Sequence, residues 1–91
     1  MNIKLSKPVL IGDKETTEIN LDFDSLNGQQ IIDASSEARA MGDRMQILEL
    51  SKTYQAVIAA KASGISVETI INLPAKDFVK ITNVAGNFLL D

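Results

Sequence analysis

The stretch from Leu73 to Leu90 constrains this chain most. Leu73-Pro74 places a proline in a first helical turn, where its missing N–H is not needed. Asp77 follows in that turn and suits the positive end of a helix dipole. Phe78, Ile81, Thr82, Ala85, Phe88 and Leu89 then recur at i, i+3, i+4, i+7, i+10 and i+11, which is one stripe of an amphipathic helix. Gly86 in the interior is expected to weaken that helix by up to ~1 kcal/mol relative to alanine. Such a stripe has to be covered. No disulfide can help hold the cover in place, because the chain has no Cys.

The 91 residues fit a single domain, 1–91, with one thin core. A chain this thin is expected to gain burial by forming a homo-oligomer or by binding a partner. Hydrophobic residues make up 45%, too many for a disordered chain. Residues 1–24 read as a β-hairpin. Ile3 and Leu5 alternate with polar neighbours, and Val9-Leu10-Ile11 continues the apolar content. Gly12-Asp13-Lys14-Glu15 signals a turn, and Thr17, Ile19, Leu21 and Phe23 alternate with Glu18, Asn20 and Asp22. Pro8 has no ladder donor, so the first strand is an edge or is interrupted there. A lone hairpin is marginal in water, so Ile19, Leu21 and Phe23 are expected to rest on helices from residues 25–91.

The first helix is expected to start near Ser25 to Asn27, with the run Gln29 to Met41 carrying its apolar stripe. Asn27 and Gln30 form a capping box, and Ile31, Ala34, Ala38 and Met41 lie on one side with Ile32 beside them. Gly42-Asp43 ends it. Arg44 to Leu50 reads as a turn into a second helix from about Ile47 to Ala62, with Ile47, Leu50, Tyr54, Val57, Ile58 and Lys61 on one face. Gly64 suits the left-handed position after that helix. Ser66 caps a short helix with Val67, Ile70 and Ile71 on its apolar side. The fold class is therefore α+β: an N-terminal β-hairpin followed by a bundle of three to four helices.

Several function classes lose support. Net charge is −3, and of nine basic residues only Arg39 and Arg44 are arginine. Nucleic-acid binders present a basic stripe, and none is visible here. Gly64 to Ile70 resembles the middle of a helix-turn-helix, but Ser66 to Leu73 has no cation to meet base edges or phosphates. It reads as a glycine break before an N-capped helix. With no His and no Cys, the usual general base and the usual metal ligands are missing. Asp13, Glu15, Glu18, Asp22 and Asp24 are too strand-like for a calcium loop and read as a solvated face. No serine or lysine is spaced with a base, and no glycine-rich loop cradles phosphate. No enzyme activity, cofactor or metal is expected. Met1-Asn2-Ile3-Lys4 has no apolar run behind its lysine, so no signal peptide is expected. No apolar run approaches the roughly 18 residues of a membrane span.

Taken in order, the elements resemble a known family. Ile3-Lys4-Leu5-Ser6-Lys7-Pro8 leads into a short acidic hairpin, and Thr17-Glu18-Ile19-Asn20-Leu21 runs into a helix. A later helix ends in Ser63-Gly64. The phrase Val67-Glu68-Thr69-Ile70-Ile71-Asn72-Leu73-Pro74 precedes Ala75-Lys76-Asp77-Phe78 and a closing Gly86-Asn87-Phe88-Leu89. This resembles the small tail assembly chaperones of tailed bacteriophages, especially those of Mu-like contractile-tailed phages. Met41 to Glu49 matches least.

The resemblance implies a protein of the host bacterial cytoplasm that coats the long, aggregation-prone tape measure protein. It also implies help in recruiting tail tube subunits, absence from the finished virion and, in many members, a longer form made by ribosomal frameshift. It brings no catalytic residues. Phe78, Ile81, Phe88 and Leu89 are the candidate partner-binding residues. The alternative is a small regulatory or antitoxin-like protein of a prophage, working through protein contacts or a degenerate helix-turn-helix. An enzyme subunit without its own active site is a third reading.

Overall fold

The computed structural model describes residues 1–91. Strand β1 (Asn2–Ile11) turns at Gly12, which adopts φ 65°, and pairs antiparallel with β2 (Lys14–Asn20). Four helices follow: α1 (Gly28–Ala40), α2 (Lys52–Ser63), α3 (Val67–Ile71) and α4 (Ala75–Leu90). The α+β class, a hairpin followed by helices, is as the sequence predicts.

The hairpin is interrupted where Pro8 predicts. Lys4 pairs with Glu18 and Val9 with Thr16, so Leu5, Ser6, Lys7 and Pro8 lie opposite Thr17 alone. The bulge removes Ser6 from the ladder and turns it to α4. There its N–H donates to Asp77 Oδ1 at 2.8 Å and its hydroxyl to Oδ2 at 2.9 Å. Asp77 is completely buried. It does more than complement the helix dipole: it satisfies the backbone that the bulge left unpaired. Lys80 adds a second tie, donating from Nζ to Lys4 O at 3.1 Å.

β2 is shorter than its alternation suggests. It stops at Asn20, and Leu21 is buried just beyond it. Phe23 leaves the strand pattern altogether and sits in a 3₁₀ turn, Phe23–Ser25. The backbone explains the change of direction. The Leu21 N–H donates to Met1 O at 2.8 Å, and the Asp22 N–H donates to Ala62 O at 2.9 Å. The second bond satisfies one of the orphan carbonyls at the end of α2, and it carries the chain off the sheet.

The capping box at Asn27 is present in full, with Gln30 N–H to Asn27 Oδ1 at 3.0 Å and Asn27 N–H to Gln30 Oε1 at 2.9 Å. On α1 only Ala34 and Ala38 are buried; Ile31 is half-buried, and Ile32 and Met41 are exposed. The expected stripe is thus narrower, because small alanines let α1 lie close on α2 and leave the larger side chains at its margins.

The second helix does not begin at Ile47. Leu48–Leu50 forms a 3₁₀ turn, and α2 starts after Ser51, whose hydroxyl accepts from Tyr54 N–H at 3.1 Å. Ile47 and Leu50 are exposed. Their apolar phase continues that of the helix, so periodicity alone extends it too far. Nor is α2 one-sided. Residues Tyr54 to Ala60 and Ala62 are all buried, and α2 packs against α1, α3, α4 and β2. It is the central helix, buried over most of its surface, with the polar Gln55 enclosed among its apolar residues. Gly64 ends it at φ 73°.

The last helix is nearly as read, with Pro74 in the cap position rather than inside the first turn. Both Asp77 N–H and Phe78 N–H donate to Pro74 O at 2.9 Å. Gly86 has a positive reason to be there. A Cβ at this position would lie 2.7 Å from Gln55 Nε2 on α2, and that nitrogen is engaged with Glu49 O at 2.8 Å.

Candidate docking surface

One groove opens on the surface, with a volume near 590 Å³. The last two turns of α4 supply Val84, Asn87, Phe88 and Leu90, with Asp91 just beyond them; the 3₁₀ turn supplies Phe23 and Asp24, and Met1 closes one side. Val84, Asn87, Phe88 and Asp91 stand at i, i+3, i+4 and i+7, a second stripe displaced from the core-facing one. Phe23 stacks on Phe88 with ring centroids 4.7 Å apart and planes inclined by 13°. The stack covers one face of Phe88, which is still 37% exposed; Leu90 is 63% and Met1 68% exposed. The turn that presents Phe23 is itself pinned, since Ser25 Oγ donates to Asp22 O at 2.8 Å.

The four sequence-derived partner residues do not share one surface. Ile81 is wholly buried, so it belongs to the core and presents nothing to a partner in this fold. Phe78 and Leu89 are half-buried and packed on the core. Of the four, Phe88 alone lines the groove. Sequence reasoning missed Phe23, Val84 and Leu90. The Val84-Asn87-Phe88-Asp91 spacing was a usable signal for the second stripe. So were the turn-forming Asp22, Asp24 and Ser25 around Phe23, which argue against a strand.

Exposed apolar side chains also gather in the connector between α1 and α2, at Met41, Met45, Ile47 and Leu50. Asp43 organises this segment. Its Oδ1 accepts from Met45 N–H at 2.9 Å, and its Oδ2 accepts from the Ser51 hydroxyl. Ser51, then the Met45 N–H, hold the Asp43 carboxyl below its ordinary value of 3.8, with smaller help from Arg39. A carboxyl with a folded value below its unfolded one contributes stability above the unfolded value. That contribution is lost as pH falls through the folded value. Carboxyl-detected NMR titration is therefore expected to place the Asp43 midpoint below 3.8, and Ser51→Ala to return it toward 3.8. A wild-type midpoint at or above 3.8 would contradict the clamp.

No group of three or more His, Cys, Asp or Glu side chains is arranged to hold a metal, and no helix is long and apolar enough to cross a membrane. The helix-turn-helix-like segment yields α3, five residues with Glu68 and no cation. What the surface offers chemically is apolar contact area with an acidic edge.

The family model described as "Phage tail assembly chaperone proteins, E, or 41 or 14" matches residues 2–90. No curated protein and no solved structure matches the chain.

Proposed function

We propose, because the chain belongs to the phage tail assembly chaperone family, that it binds the tape measure protein in the host cytoplasm. It keeps that client soluble while tail tube subunits are recruited, and it leaves before the virion is complete. The observation that carries this reading is the family match, which spans residues 2–90 of 91. The surface supports it. A holdase has to expose apolar side chains without aggregating, and here Phe88, Leu90, Met45, Ile47 and Leu50 are exposed on a chain of net charge −3. Methionine adapts to varied apolar partners, which suits a client read at many places along its length. The regulatory alternative finds no cation on α3 to meet DNA.

Mass spectrometry of tail intermediates and of purified virions tests the cycle. The chain is expected to accompany the tape measure protein in intermediates and to be missing from virions. Its presence in virions at the level of a tail protein, or its absence from every intermediate, would overturn the reading.

A further inference from the structure

We propose that the groove between α4 and the Phe23 turn takes an amphipathic client helix whose apolar face is flanked by lysine or arginine. The identity of the client rests on the proposed function; the chemistry of its binding segment rests on the groove.

Three observations select this occupant. The floor is apolar, made by Phe23, Val84, Phe88 and Leu90. Its charged side chains are Asp24 and Asp91, no Lys or Arg lines it, and the Met1 ammonium is engaged with Asn20 Oδ1 at 3.3 Å and Leu21 O at 3.1 Å. Apart from Met1 and Asp91 the lining backbone is helical or 3₁₀, and Met1 O is already taken by Leu21 N–H. No residue of β1 or β2 lines the groove to offer an edge to an added β-strand, and side chains have to enter from a preformed segment. An amphipathic helix does this with anchors at i, i+3, i+4 and i+7. The acidic edge then favours a helix with cations beside those anchors. A second copy of this chain is disfavoured, because it brings a net charge of −3 to an acidic edge.

The test uses the full chain, isotopically labelled, with two synthetic helical peptides. Both carry leucines at i, i+3, i+4 and i+7; one has lysine flanks and the other glutamate flanks. The lysine peptide is expected to shift the amide signals of Phe23, Val84, Asn87 and Phe88. It is expected to bind about tenfold more tightly than the glutamate peptide at low salt, and by a smaller factor at high salt. Asp24→Lys combined with Asp91→Lys changes only exposed positions, so folding is retained and the preference should reverse.

Equal affinities, an unreversed preference or shifts confined to the 41–50 connector would overturn the proposal. So would groove signals that depend on protein concentration without peptide, which would assign the groove to a second copy. Failure here is distinct from failure of the chaperone reading. If the double-lysine variant keeps the tape measure protein soluble as well as the wild type does, the groove assignment falls and the chaperone reading stands. If the wild type does not keep it soluble, the chaperone reading falls whatever the peptides do.

Discussion

Asp77→Ala is expected to cost about 2–3 kcal/mol of folding stability, a large part of the total for a domain of this size. The side chain is buried and accepts two hydrogen bonds from Ser6, across 71 residues of sequence. Alanine removes both acceptors and leaves the Ser6 N–H unsatisfied at a bulge that has no ladder partner for it. The hairpin then loses its buried polar attachment to α4 and keeps the Lys80–Lys4 tie and the burial of Ile3, Leu5 and Ile19. Asp77→Asn retains one acceptor oxygen and should cost less. Ser6→Ala keeps the backbone bond and should cost least, about 1 kcal/mol. Urea unfolding followed by far-ultraviolet circular dichroism gives all three. An Asp77→Ala midpoint equal to wild type would show that the bulge does not depend on this side chain.

Gly86→Ala is expected to destabilise the wild type and to stabilise a Gln55→Ala variant. Helix propensity alone favours alanine by about 1 kcal/mol. In the wild type the new methyl would meet Gln55 Nε2 at 2.7 Å. The amide then has to leave Glu49 O, or α2 and α4 have to separate. Loss of a buried hydrogen bond together with overpacking outweighs the propensity gain by about 1–3 kcal/mol. With Gln55 truncated, the space is free and the propensity gain remains. The double-mutant cycle should therefore show a coupling of at least about 2 kcal/mol. Additive effects would mean that Gly86 is tolerated in α4 for a reason unrelated to Gln55.

Local chemistry made much of this fold legible in the sequence. The Asn27–Gln30 capping box, the Gly12 turn, the Gly64 stop and the Ser66 cap each act over a few residues, so each can be read without knowing the rest of the chain. The Leu73-Pro74 start and the stripe after it are local in the same sense. Contacts made across the chain were not legible. Pro8 marks an interruption, but nothing near it reveals that Ser6 will turn to Asp77. The start of α2 was misplaced because Ile47 and Leu50 share the phase of Tyr54 and Val57, whereas Ser51 bonded to Asp43 fixes the true start. The alanines of α2 form no stripe, so its burial on all sides left no periodic signal. The groove depends on Phe23 meeting Phe88, and the alternation of Ile19, Leu21 and Phe23 pointed to a strand face instead. The candidate partner residues of one stripe divide in the fold, with Ile81 in the core and Phe88 partly exposed.

The role proposed for this chain is to hold the tape measure protein in solution. It is tested most directly by producing that protein in bacteria with and without the chain and measuring its soluble fraction. The tape measure protein is expected to be largely insoluble alone, and soluble and co-purifying when the two are made together. Equal insolubility in both cultures, or solubility without co-purification, would contradict it.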